Sequence, residues 1–179
     1  MDDLEWLATR AGVSLLGGQP PFRVDSAARA AGVVVEPTHV AAAAKLGVPV
    51  IAVVGWPTGR HHSVIKAAEA RLAAETGAEE VWLAVDAALA DDSAVLADII
   101  AVRQAVPAPT RFGVIPGGHP AAVDAARRVG ADALAVEAGQ VVPAAETPVA
   151  VYGGPGDTDA IIAAMEAGAE RVFADPAAP

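Results

Sequence analysis

The sequence predicts an α/β fold built on a parallel sheet, and three observations carry that expectation. Eight short apolar runs rich in Val, Ile and Ala alternate with stretches of helical spacing, the pattern of strands joined by crossover helices. The runs read as continuous apolar segments, as expected of strands buried on both faces. Residues 48–86 form the clearest repeat unit, strand–helix–strand, whose crossover is expected to be right-handed.

In chain order, residues 2–11 have the spacing of a short amphipathic helix, with Leu4, Leu7 and Ala8 on one face. A first strand is expected over 13–16, a breaker-rich loop over 17–21 and at most two turns of helix over 26–31. A strand over 33–35 ends at Glu36-Pro37, and an Ala-rich helix spans 40–46. In the central unit, 50–54 is a β-branched strand and Gly55-Trp56-Pro57-Thr58-Gly59 a loop. The helix over 63–76 places Val64, Ile65, Ala68, Leu72 and Ala73 at helical intervals, with Ser63 as a cap and Gly77 as its stop. On that reading Lys66 lies opposite the apolar face, in solvent.

A fourth strand over 81–85 leads to a helix over 93–106, stopped by Pro107 and Pro109. Strands follow at 112–115, 133–136, 149–152 and 171–174. Pro120 suits the first turn of a helix running to Val129, and Thr158 opens one closed by Gly168. Residues 137–148 carry Gly and two Pro but no helical period, so a helix is expected to be missing there. An open doubly wound sheet is the alternative fold. It too would place ligands at the carboxyl ends of the strands, but no Gly-x-Gly-x-x-Gly follows the first strand.

Bulk properties narrow the function. The chain has 179 residues, one domain's worth over 1–179, with a net charge of −10 and no cysteine. The charge argues against nucleic acid or an anionic membrane as partner, and the missing thiols remove disulfides and cysteine chemistry. Hydrophobic residues make up 54%, yet no run approaches the length of a spanning helix. The acidic start lacks the basic region of a signal peptide, so a cytoplasmic protein is expected.

The central unit resembles the deoxyribose-phosphate aldolases. The loop Gly55-Trp56-Pro57-Thr58-Gly59, the helix residues Lys66 and Glu69, and Gly77-Ala78-Glu79-Glu80-Val81-Trp82 follow that family's order and spacing. The resemblance implies a (β/α)8 TIM-type barrel, reduced here by short or missing helices after strands 1, 6 and 8. It also implies where the Schiff-base machinery belongs. The family's reactive lysine falls on Ala135, in the gapless frame Gly130-Ala131-Asp132-Ala133-Leu134-Ala135. Its second lysine falls on Ala150, three residues before Gly153-Gly154, and its carboxylate falls on Trp82. All three positions are apolar, and they are expected to face a packed lumen.

The chain's two lysines, Lys45 and Lys66, fall on outer helices. A Schiff-base nucleophile must be a desolvated free amine in the site, so that chemistry is not expected. The family's phosphate site reads Val136-Glu137-Ala138-Gly139 and Asp175-Pro176-Ala177 here, which leaves Gly153 and Gly154 as backbone donors beside repelling carboxylates.

What remains at the strand ends is a polar rim. Asp86, Glu137, His119 and Glu36 are the candidates for acid–base work, and Arg60 with Gly153 and Gly154 for holding a ligand. His61-His62 is a weak metal signal, because adjacent loop residues diverge. No metal site and no cofactor is expected. The leading expectation is a non-catalytic relative that acts by binding a small molecule or by assembly. The alternative is a carbon–carbon lyase or isomerase acting on a small aldehyde or sugar with carboxylate, His or metal chemistry.

Assembly is expected on one argument. With no helix after strands 6 and 8, Leu134, Val136 and Phe173 would point outward uncovered, and a homodimer or a complex with an aldolase homologue would bury them. Arg127 and Arg128 would pair across that contact.

Overall fold

A computed structural model describes residues 3–22 and 30–176. Eight parallel strands close into a barrel in sequence order: β1 (Ala11–Ser14), β2 (Val33–Val35), β3 (Val50–Val54), β4 (Glu80–Ala84), β5 (Arg111–Ile115), β6 (Ala133–Glu137), β7 (Val149–Tyr152) and β8 (Arg171–Ala174). The last pairs with the first, Gly12 opposite Phe173. The described helices are α1 (Asp3–Ala8), α2 (Val40–Ala43), α3 (Ser63–Thr76), α4 (Asp92–Ala105), α5 (Pro120–Arg128) and α6 (Thr158–Glu166). The barrel is therefore a reduced TIM-type fold. Most of the expected turns over 26–31 lie outside the described residues.

Element edges shift by one or two residues from the sequence reading, and each shift has a local cause. β1 starts at Ala11, not 13, because Arg10 O accepts from Val172 N and locks the strand early. The Ala-rich segment expected as one helix is α2 flanked by 3₁₀ turns at Pro37–His39 and Ala44–Leu46. α3 is preceded by His62 and has no side-chain cap, so Ser63 is its first residue and not its cap. α4 begins one residue early because Asp91 Oδ1 accepts from Ser93 N at 2.8 Å.

Period-two alternation sorts the strand residues into two cores. Leu134, Val136, Val149, Val151 and Val172 belong to an outer core between sheet and helices. Val34, Ile51, Val53, Trp82, Ile115, Ala135, Ala150, Tyr152 and Phe173 form the inner core that fills the barrel.

This arrangement overturns the expected bare surface. Leu134 and Val136 do face outward, but they are 0% and 3% exposed. Val142, from the non-helical segment 138–148, and Ile161, Ala164 and Met165 of α6 pack against the outer core. Phe173 points inward, and Val172 takes the outward position. Arg127 and Arg128 are both engaged within their own helix, at 2.9 and 2.6 Å from the Asp124 carboxylate. The two guanidiniums, Arg127 first, hold Asp124 below the usual carboxylate range.

The largest correction concerns α3. Lys66, expected in solvent, is 1% exposed, while Val64, Ile65 and Leu72 are 71%, 56% and 62% exposed. The helix turns Lys66, Ala70 and Ala73 inward. Lys66 Nζ donates to Asp98 Oδ2 at 2.5 Å, Gly59 O at 3.0 Å and Ala84 O at 3.5 Å. Small alanines let α3 sit close to the sheet, and the long Lys66 stem crosses the gap to α4.

A buried ion pair of this kind is strongly unbalanced when one partner is removed. Asp98→Ala leaves the ammonium alone and is expected to cost about 3–5 kcal/mol in urea unfolding. The paired change Lys66→Met with Asp98→Leu is expected to recover most of that loss. A double variant as unstable as Asp98→Ala would show that the charge pair is not the source of the cost.

Candidate functional site

The lumen is built from residues with inward parity on successive strands. Trp82 on β4 is fully buried, its ring 5.5 Å from that of Phe173 at a steep angle and 6.1 Å from that of Tyr152. Gly113 on β5 stands beside it in register, and a Cβ there would lie 2.5 Å from Trp82 Cδ1. Gly12 on β1 makes the same room for Phe173, again at 2.5 Å. Ala135 and Ala150 are register partners and are both fully buried. The indole Nε1 donates to Glu80 Oε1 at 2.6 Å, and Arg171 donates to both Glu80 oxygens at 2.9 and 2.7 Å.

The lumen is thus sealed at its amino-terminal end by a buried carboxylate with every oxygen engaged. A cavity of about 600 Å³ lies outside that seal, lined in part by Glu79, Glu80, Arg111 and Arg171. It is larger than the carboxyl-end cavity that Glu137 and Tyr152 line. Its buried charge is internally neutralised, however, and it lies away from the end where barrel loops carry chemistry.

The carboxyl-terminal end holds a smaller cavity of about 330 Å³. Its polar lining is Thr58, Arg60, Asp86, Glu137, Gln140 and Tyr152, over a floor that includes Ala84 and Ile115. Glu137 and Tyr152 arrive there as register partners at the ends of β6 and β7. Asp86 follows β4. Its Oδ1 accepts from Ala88 N at 2.9 Å and lies 3.4 Å from Arg60 Nε. The Ala88 N–H, with the Arg60 guanidinium behind it, holds Asp86 below the usual carboxylate range. Burial, with the Glu137 charge adding to it, pushes the Tyr152 phenol up to about 12.

The site therefore assembles Asp86, Glu137 and Arg60 from the sequence candidates and leaves the others elsewhere. Glu36 Oε1 accepts from Gly17 N at 2.6 Å, and its other oxygen lies 3.4 Å from His39 Nδ1. His119 Nε2 lies 2.8 Å from Leu89 O. Gly153 and Gly154 both have left-handed backbone, with φ of 78° and 80°, but their N–H groups are taken. Gly153 N donates to Phe173 O at 2.8 Å, and Gly154 N donates to Asp175 Oδ2 at 3.1 Å. A carboxylate of the chain itself occupies the glycine turn where an anion would bind.

Thr58 and Gln140 are the lining residues that sequence reasoning does not single out. Thr58 carries a signal, since it sits in the Gly55–Gly59 loop that ends β3. Gln140 carries none, because residues 138–148 have no period that would aim it.

No family model matches the chain. Among curated proteins, the deoxyribose-phosphate aldolase of Kocuria rhizophila is 35% identical over 151 residues, covering 70% of this chain and 69% of that protein. The chain belongs to the deoxyribose-phosphate aldolase family. The Nocardia farcinica aldolase is 51% identical over 63 residues, 34% of this chain and 28% of that one. The Mycolicibacterium paratuberculosis aldolase is 52% identical over 79 residues, 41% and 35% of the two chains. The match thus spans about a third or less of the first curated relatives.

Solved structures agree on the fold. An aldolase called QR15 superposes with a TM-score of 0.74 at 20% identity, covering 97% of this chain and 92% of its own. A tetrameric deoxyribose phosphate aldolase from Aeropyrum pernix gives 0.68 at 20% identity, covering 97% and 88%. Among the described residues, no helix is long and apolar enough to cross a membrane, and no group of three His, Asp or Glu side chains could hold a metal ion.

Tyr152 is the chain's single tyrosine, so one ultraviolet titration reads it directly. The tyrosinate band of the folded aldolase-family chain is expected to appear near pH 12, well above the ordinary midpoint near 10. Because the folded state holds this proton more tightly, its stabilising effect is complete below pH 10. That effect is lost as the pH rises towards 12. Glu137→Gln is expected to lower the midpoint while leaving it above 10, since burial is the larger cause. A midpoint at 10 would place the phenol in water.

Proposed function

We propose that this chain is a non-catalytic member of the aldolase family, working through binding or assembly. The observation that carries the reading is the lumen. The three positions to which the resemblance assigns the Schiff-base machinery hold Trp82, Ala135 and Ala150, all fully buried and packed as core. The available lysines do not substitute. Lys66 is in the outer layer with its three donors directed at Asp98, Gly59 and Ala84, and Lys45 is exposed in a 3₁₀ turn. A nucleophilic lysine needs a free amine lined up with a carbonyl, and neither offers one.

The ligand class follows from the carboxyl-end pocket. One guanidinium, Arg60, faces two carboxylates, Asp86 and Glu137, and the remaining polar groups are a hydroxyl, a phenol and an amide. That set has donors and acceptors for hydroxyl and carbonyl groups and an excess of negative charge. Asp175 on Gly154 N removes a further anion donor. The pocket suits a small neutral aldehyde or polyhydroxy compound and disfavours a phosphorylated one.

A second reading rests on a specific juxtaposition. Asp86 and Glu137 line one cavity with Tyr152 between apolar floor and solvent, so a proton could pass between substrate and carboxylate there. On that reading the chain is a lyase or isomerase of small aldehydes or sugars.

Incubation with deoxyribose 5-phosphate and borohydride, followed by intact-mass measurement, tests the first reading. No adduct and no acetaldehyde are expected. A reduced adduct on Lys45 or Lys66 with acetaldehyde release would overturn it. In a thermal-shift comparison, short aldehydes and neutral sugars are expected to raise the midpoint and sugar phosphates to leave it unchanged. Turnover of a neutral sugar that Glu137→Gln abolishes would favour the second reading.

A further inference from the structure

The cavity at the amino-terminal end of the barrel carries two charged groups beyond its buried, neutralised pair. That pair is Glu80 with Arg171, held through both carboxylate oxygens, with the Trp82 indole as a third donor. The Arg171 guanidinium also lies 5.5 Å from the centre of the Phe173 ring, so it is engaged on two sides. Arg111, the register partner of Glu80 on β5, comes second. Its Nη1 lies 3.4 Å from Glu80 Oε2, an oxygen that already accepts from Arg171 at 2.9 Å. One carboxylate thus faces two guanidiniums. Among the described residues the Arg111 guanidinium makes no hydrogen bond, and its side chain is 49% exposed.

Glu79, just ahead of β4, is the other group. Arg111 N donates to Glu79 O at 2.9 Å, so the two residues are neighbours across the start of β4 and β5. Glu79 is exposed, and its carboxylate pairs with no cation among the described residues. Taken alone, an exposed glutamate or a half-exposed arginine is an ordinary solvated group. Here both line one cavity of about 600 Å³, a volume in the range of small-molecule sites. The wall beside them is mainly apolar, with Pro49, Val50, Ile51, Ala74, Ala78 and Pro109. A cation and an anion side by side on an apolar wall are complementary to a ligand with the opposite pair of charges and an apolar body.

We propose that the amino-end cavity binds a small zwitterion with an apolar side chain, the chemistry of a free aliphatic α-amino acid. Arg111 takes the carboxylate, Glu79 takes the ammonium, and the proline, valine and alanine wall takes the side chain. Glu80 acts as a positioning residue, because its Oε2 holds the Arg111 guanidinium at the wall and so lowers the cost of ordering it on binding. Glu79 disfavours a ligand with anionic charge alone. The cavity lies at the opposite end of the barrel from the one that Asp86 and Glu137 line, so binding here is independent of any function there.

Calorimetric titration with free leucine at millimolar concentration is expected to show one site per chain, and leucine is expected to raise the thermal midpoint. 4-Methylpentanoate lacks the ammonium and 3-methylbutylamine lacks the carboxylate. Each is expected to bind about tenfold more weakly or worse, since each leaves one charged group of the cavity unpaired. Glycine, which has both charges and no side chain, is also expected to bind more weakly. Glu79→Gln is expected to weaken leucine about tenfold or more without weakening 4-methylpentanoate. Arg111→Met is expected to weaken leucine and 4-methylpentanoate without weakening 3-methylbutylamine. Both positions are exposed, so an unchanged circular dichroism spectrum is expected of each variant. An unaltered chain that binds no leucine overturns the proposal. Leucine binding that survives either substitution overturns it too, as does binding of glycine or of either single-charge analogue as tight as that of leucine.

Discussion

The volume inside a closed eight-stranded barrel is set by strand number and tilt, and side chains must fill it. Here the filling is aromatic. Trp82 stands at the centre, with Phe173 and Tyr152 against it and alanines at 135 and 150 beside it. Large residues on some strands require very small ones on others, and Gly12 and Gly113 supply that room. The indole also needs an acceptor when buried, and Glu80 provides it. Glu80 in turn needs the guanidinium of Arg171, since a buried carboxylate without partners is costly. The shallow cavity above the barrel follows from the same filling, because Tyr152 and Ile115 close off anything deeper.

A second pattern runs around the carboxyl-end loops. Backbone N–H groups that could meet an external anion meet carboxylates of the chain instead. Glu36 accepts from Gly17, Glu69 from Gly55, Asp86 from Ala88 and Asp175 from Gly154. Each contact orders a loop, since a charged acceptor makes a stronger hydrogen bond than a neutral one. Together they leave Arg60, exposed and shared with Asp86, as the cation in the pocket lining.

Strand number, strand order and the inward parity of positions 82, 135 and 150 are legible in the sequence, because β-branched runs and period-two alternation are local signals. The orientation of α3 is not. Counting apolar residues points Val64, Ile65 and Leu72 inward, but a helix lying on a barrel is held close by alanines, and Lys66 reaches a carboxylate 32 residues away. Phe173 is misread for a related reason. Parity taken from Ala135 does not carry to β8, whose phase is set by pairing with β7 and by the contact of Arg171 with Glu80 across 91 residues. In the candidate site, Asp86 and Glu137 are legible as residues at strand ends. Glu36 and His119 share that description, yet loop backbone aims them at Gly17 and Leu89.

The fit of Trp82 against Gly113 makes the two positions interdependent. A Cβ at position 113 would collide with the indole, so a tryptophan at 82 requires a glycine across the strand pair. With the ring in place, any larger residue at 113 is refused, and a charged group at 135 or 150 would enter a space lined by aromatic carbon. The indole acts as a lock on its neighbours, holding the interior apolar.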